Sequence, residues 1–286
     1  MLANTHYSVV KYYQKSSAIF SSVDIKGGVA ITKYNNSIEH EAIGTFIPFD
    51  ELRNIMDKTL THDDFISFST IAYASESYKF LEKMHTDYPQ IATMLSRGHR
   101  YDLKSNVLEK FDGIVFHKEK PNDDGQDYLE IIGRISRKRT SRYIRKDYIK
   151  SPDNCDKYKV IIPSANGSGA LGEGISTPLI GKPLIGHTQT FMSFGNFSNE
   201  DDAEACMKYL KSKFARALLG TLKITQTNPI AVWKMSLFRI SPPRLILIGQ
   251  KRLQKSIRSF TRSTDCLPKK LHLLRKTFSR WINCRT

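Results

Sequence analysis

Apolar and polar positions along this chain change period several times, and each change marks an element. Val29 to Tyr34 alternates with period two and predicts a strand, closed by the turn signal Asn35-Asn36-Ser37. Glu41 to Phe49 reads as the strand returning from that turn, and Asp50 as the cap of a short helix over 51–60. Upstream, residues 5–20 form an amphipathic segment that leads into Ser21-Ser22-Val23-Asp24-Ile25-Lys26-Gly27-Gly28-Val29. Helical character is expected over Glu76 to His85 and from Pro89 to Leu95, where Pro89 suits a first turn. Beyond the turn signal Pro121-Asn122-Asp123-Asp124-Gly125, Asp127 to Ile135 and Arg139 to Ile149 read as two strands joined at Ser136-Arg137-Lys138.

The pattern then tightens. Tyr158 to Pro163 reads as a buried strand, Ser164 to Gly186 as a loop dense in glycine, and Gln189 to Phe194 as a second strand. Ser198 is expected to cap a long helix, with Glu200, Asp201 and Asp202 in the first turn, where the helix dipole favours acids. Ala203, Met207, Leu210, Phe214, Ala217 and Thr221 would make its buried stripe. The fold class predicted is α/β of mixed α+β character.

Composition narrows this picture. At 286 residues and 40% hydrophobic content, the chain can bury one large core or two small ones. No run approaches the roughly 18 apolar residues of a membrane span. The N-terminus shows neither a basic n-region nor an apolar h-region, so no membrane association and a cytoplasmic setting are expected. Cys155, Cys206, Cys266 and Cys284 form no metal-ligand spacing and are expected to be ordinary free thiols. The net charge is +16, but 13 of the 44 basic residues and only one of the 28 acids lie in 235–286. The body therefore carries a small charge excess, and its function has to be argued from local clusters.

Two clusters bear on function. The hairpin carries Arg134, Arg137, Lys138, Arg139, Arg142, Arg145, Lys146 and Lys150, interleaved with Tyr143 and Tyr148, and its only internal acid is Asp147. Such a ribbon can neutralise phosphates and place an arginine at a base edge. The second cluster is Gly167-Ser168-Gly169-Ala170-Leu171-Gly172, which spells GxGxxG after a strand. A dinucleotide site needs a helix next, and Gly174-Ile175-Ser176-Thr177-Pro178 does not permit one. The loop instead offers Asn166, Ser168, Lys182, His187 and Gln189 as donors for close approach to DNA.

Enzymatic alternatives find little support. Asp24-Ile25-Lys26 resembles half of a metal-dependent nuclease site, but no acid precedes Asp24 to complete a metal shell. Ser241-Pro242-Pro243-Arg244 resembles an amino-methyltransferase motif, yet its fourth residue is not aromatic. The histidines form no HExxH, and no nucleophile elbow is present.

Several stretches, taken in order, resemble the C-terminal half of bifunctional type II restriction–modification methylases, the adenine-specific DNA methyltransferase family. They are Ile19 to Val29, Arg142 to Ile149, Asp156 to Val160, Gly181-Lys182-Pro183, the Gln189-Thr190 strand, Asn199 to Phe214, and Thr225 to Lys234. The resemblance implies methyl transfer from S-adenosylmethionine to an adenine amino group, with the base flipped out of the duplex, together with restriction endonuclease activity. The family's glycine motif and its Asn-Pro-Pro-Tyr motif are absent from these residues. No catalytic, cofactor or metal site is therefore expected in this chain, and S-adenosylmethionine would serve the full-length family. The implied organisation is a C-terminal remnant of a Rossmann-like methylase domain over 1–60, a helical connector over 61–96 and a DNA target-recognition domain over 97–234. Residues 235–286 would be a basic, out-of-frame and disordered tail. The expected partners are double-stranded DNA and a missing N-terminal methylase part. The alternative is a stand-alone basic nucleic-acid-binding protein without enzymatic activity.

Overall fold

The Ser136-Arg137 pair sets the geometry of the basic hairpin. In the computed structural model, which describes residues 1–238 except 24, 26, 48–49, 62–65, 123 and 168–172, both residues have positive φ, 47° and 67°. That is the two-residue turn whose twist matches a right-handed antiparallel ladder. It joins strand Tyr128–Ile135 to strand Lys138–Arg145, paired without interruption from Ile135↔Lys138 to Tyr128↔Arg145. Strand Ile185–His187 adds in parallel to Tyr128–Ile135 and completes a three-stranded sheet.

A second sheet has four antiparallel strands, in the order Leu179–Gly181, Tyr158–Pro163, Phe191–Phe197, Ala72–Tyr73. Alternation along Tyr158–Pro163 explains its two faces. Val160 and Ile162 join Met192, Phe194, Ala203, Leu210 and Trp233 in the core beneath the C-terminal helices. Ile161 points the other way and meets Phe191 and Ile132, so one small apolar seam ties the two sheets together. The three-stranded sheet has its own core, where Leu129, Ile131 and Ile144 pack on Phe80, Met84, Leu108, Phe111 and Phe116. The described architecture is thus mixed α+β with mainly antiparallel sheets, and no helix in it is long and apolar enough to cross a membrane.

Several sequence expectations need correction. Residues 41–47 form no strand; Val29–Tyr34 pairs backwards with Tyr7–Tyr13, across a bulge between Val9 and Lys11. Alternation identified the strand but could not reveal its partner. The long helix is two helices, Glu200–Lys211 and Lys213–Leu222, broken where Ser212 turns extended and caps the second through its hydroxyl to Ala215 N at 3.1 Å. The cap of the first is Asn199 rather than Ser198, its Oδ1 accepting from Asp202 N at 2.9 Å. The break rotates the buried stripe, so Ala215, Leu218 and Leu219 go inside instead of Ala217 and Thr221. The glycine-dense loop hides two three-residue strands, Leu179–Gly181 and Ile185–His187, too short and glycine-rich to show a period. Folded structure also runs past Lys234: Ser236 is fully buried, and Leu237–Phe238 pairs with Ile66–Ser67. The remainder of the expected tail lies outside the described residues.

Candidate nucleic-acid interface

The hairpin divides its cations in two. At its base Arg142, Arg145 and Lys146 have each found a carboxylate, while Lys150, beyond the ladder, is exposed without an ion pair among the described residues. Arg142 donates from Nε and a terminal nitrogen to both oxygens of Asp112, at 2.7 and 3.2 Å, and its side chain is only 12% exposed. Arg145 grips Asp147 in the same bidentate manner, at 3.0 and 2.6 Å, while its guanidinium stacks 4.5 Å over Tyr148. Lys146 lies 3.3 Å from Asp156, and Lys83 also reaches Asp147. These arginines hold the Asp112 and Asp147 carboxyls below the usual carboxylate range. The sequence shows Asp147 as the only acid inside the cluster; the fold brings in Asp112 and Asp156 from outside it. Tyr143 is half-buried, and its backbone exchanges hydrogen bonds with His117, which covers part of the outer edge.

At the tip the arrangement reverses. Arg134, Arg137, Lys138 and Arg139 are all exposed, and among the described residues none forms an ion pair. Arg139 donates to the carbonyl and hydroxyl oxygens of Thr177, at 2.5 and 2.8 Å, which fastens the tip to the end of the glycine loop. Partial burial first, and the nearby Arg134 second, push the Arg139 guanidinium below its ordinary value. Thr177 has φ +43°, unusual for a β-branched residue and hidden in sequence by the following Pro178, which favours extended backbone.

The loop donors separate in the same way. Asn166 is committed to the neck of the loop: it donates to Gly174 O at 2.9 Å and accepts from Asn228 at 2.6 Å, while its carbonyl accepts from Lys223 at 2.8 Å. Lys182 is exposed, 3.8 Å from Glu200. Gln189 is half-buried; its backbone donates to Leu103 O and accepts from Ser164. Ser168 lies outside the described residues, as do Asp24 and Lys26 of the nuclease-like triplet. Residues 173–178 are irregular and lead into strand Leu179–Gly181, so among the described residues no helix follows the glycine run as a dinucleotide site would need.

His187 lies in the interior rather than at the surface. It is fully buried on the strand Ile185–His187, with its ring edge against Tyr78. Nδ1 donates to Thr188 O at 3.1 Å, and Nε2 accepts from Ser193 Oγ at 3.3 Å. Ser193 Oγ in turn accepts from Asn154 at 3.2 Å. Burial holds the imidazole pKa down at about 4, which keeps the ring neutral at ordinary pH and suits these roles. The buried Lys159 ammonium closes the same region, donating to the carbonyls of Asn154, Cys155, Lys157 and Lys182 at 2.9 to 3.3 Å. Burial pushes Lys159 down to about 8. Nothing in the sequence separates Lys159 from a surface lysine except its place inside an apolar strand.

Within the basic-aromatic stretch Arg97 to Tyr101, His99, Arg100 and Tyr101 are satisfied internally, while Arg97 is exposed and forms no ion pair among the described residues. His99 and Lys79 both bond Asp102, at 2.7 and 2.6 Å, and Arg100 and Tyr101 both bond Glu82. An open cleft of about 420 Å³ beside them is lined by Lys79, Glu82, Tyr101, Asp102 and Lys150, with its charges largely paired. Cys155 and Cys206 are buried free thiols.

The described residues thus define a mixed α+β protein that presents a carboxylate-free basic tip beside a glycine-rich loop. Compared with protein-family models, curated proteins and solved structures, the chain matches none.

Proposed function

We propose that this chain binds duplex DNA as a target-recognition module, related to the adenine-specific methyltransferases of restriction–modification systems. The observation that carries the reading is the segregation of charge on the hairpin. The fold supplies acids to Arg142, Arg145 and Lys146 and leaves Arg134, Arg137, Lys138 and Arg139 exposed, without one among the described residues. A two-stranded ribbon with a cationic tip has the dimensions to enter a major groove, and exposed arginines there contact phosphates and base edges. The ordered series of segments that resembles the methylase family adds a second, independent support. On this reading S-adenosylmethionine, the methyl transfer and any cleavage belong to a methylase portion whose motifs these residues do not contain, and residues 1–60 are the edge of that portion. The isolated chain then shows neither methyl transfer nor cleavage.

The basic stretch after Phe238 favours a second reading, a stand-alone nucleic-acid-binding protein that uses its tail. Duplex binding measured for the full chain and for a chain ended after Phe238 separates the two. Retained, salt-dependent binding by the shorter chain supports recognition by the body; loss of binding assigns it to the tail. Ending the chain at Lys234 would not be a fair test, because Met235 to Phe238 belong to the folded body.

A further inference from the structure

The arginines at the tip are not independent cations. Arg134 and Arg139 are direct partners across the antiparallel ladder, so their side chains leave the same face. Both guanidinium groups lie over one ring, that of the buried Phe191, at 5.9 and 5.4 Å from its centroid. Like charges placed directly opposite one another destabilise a sheet, and among the described residues no carboxylate relieves this pair. Arg139 commits one terminal nitrogen to Thr177, and its remaining N–H groups have no partner among the described residues.

Backbone strain points to the same place. Four non-glycine residues among those described have positive φ, and three of them, Ser136, Arg137 and Thr177, surround this pair. Asparagine or glycine would fit the Ser136-Arg137 turn better. Strain of this kind concentrates at ligand-binding positions.

From this juxtaposition we infer that Arg134 and Arg139 form a single clamp for one tetrahedral oxyanion, a phosphate group, with Phe191 as its floor. Two planar guanidinium forks leaving one face of the ladder and held over one ring can match several phosphate oxygens at once, and a bound anion removes their mutual repulsion. The source of the phosphate rests on the proposed duplex reading: there it is a backbone phosphodiester, and the clamp grips without regard to sequence. Arg137 and Lys138, at the end of the ribbon, are then left to approach the bases.

The test uses the full chain and four forms: wild type, Arg134→Gln, Arg139→Gln and the double variant. Glutamine removes the charge and the guanidinium fork while keeping a polar side chain on the same aliphatic stem, and circular dichroism checks that each variant is folded. In the first arm, thermal unfolding is followed in inorganic phosphate and in chloride at matched ionic strength. Phosphate raises Tm in general by its exclusion from protein surfaces, and the clamp predicts a gain in wild type that exceeds this, reduced by either single substitution to the gain kept by the double variant. A gain in wild type no larger than that of the double variant overturns the clamp. In the second arm, the salt dependence of duplex binding is measured. A shared phosphate predicts that the slope of log K against log salt falls by about 0.9 in either single variant, with little further change in the double. Losses that simply add, to about 1.8, identify two separate contacts and overturn the shared site. A chain that prefers inorganic phosphate but does not bind duplex supports the clamp as a site for free phosphate and refutes the duplex reading.

Discussion

At the base of the hairpin, Arg142 and Arg145 each lie against a carboxylate in bidentate geometry; at its tip, Arg134 and Arg139 both lie over the ring of Phe191, with no carboxylate partner among the described residues. The four residues share one ladder and one chemistry. What differs is what the rest of the fold delivers to them. Inside the molecule the same rule extends to Lys159 and His187, whose polar atoms are taken up by carbonyls and by Ser193. Cations that serve the fold are satisfied by it, and those left unsatisfied at the surface are the ones available to a partner. Count and spacing treat all of them alike, which is why charge in sequence overstates the size of a binding surface.

This division yields graded consequences. The largest belongs to the interior. Lys159→Met strands four carbonyl acceptors that share one ammonium, and the loss expected is on the order of 3–5 kcal/mol, read as the shift of a urea unfolding midpoint. That loss is a large fraction of a typical domain's stability; a midpoint like that of wild type would show that the ammonium does not hold these strands.

Acid comes next. His187 has a folded pKa of about 4 against an ordinary 6.5. Between those values the unfolded chain takes up a proton that the folded chain refuses, so stability falls as pH falls through that window, by up to about 3 kcal/mol. Unfolding free energies at pH 6.5 and 4.5 check this, with His187→Gln flattening the dependence. An equally steep fall in that variant would assign it to other groups.

Arg142→Gln should cost about 2 kcal/mol, because it removes both donors from a partly buried Asp112, while the affinity of the folded fraction for duplex stays unchanged. The smallest effect has the opposite sign. Arg137→Gly relieves a positive φ and should stabilise the fold by about 1 kcal/mol while weakening duplex binding. A variant that gains stability and loses affinity would mark the turn as strained for function; one that gains both would remove Arg137 from the interface.

Much of the scaffold was legible in the sequence because it rests on local signals. The two hairpin strands, the strand Tyr158–Pro163 and the helix opening at Pro89 follow from alternation and proline placement. The turn Ser136-Arg137-Lys138 is one residue shorter than its spacing suggests, because Lys138 already pairs with Ile135, and the second strand ends at Arg145 rather than Ile149. The candidate site was legible only in part, since its selection depends on long-range pairing. Asp112 is 30 residues from Arg142, Thr177 is 38 from Arg139, and no spacing rule links either pair. His187 was misplaced for the same reason. A polar residue in a glycine-rich stretch reads as loop, and only the parallel pairing with Tyr128–Ile135 draws it into the interior. Ser212 shows the converse: its capping hydroxyl is a local feature, but an apolar period continues across it and hides the break between the two helices.

Equilibrium binding of the full chain to a mixed-sequence duplex across a salt series tests the contrast of tip against base directly. Replacing Arg134, Arg137, Lys138 and Arg139 together by glutamine should reduce affinity at least about tenfold and flatten the salt dependence, while Arg145→Gln leaves both near wild type. Loss of binding in Arg145→Gln with the tip variant unaffected would contradict the account.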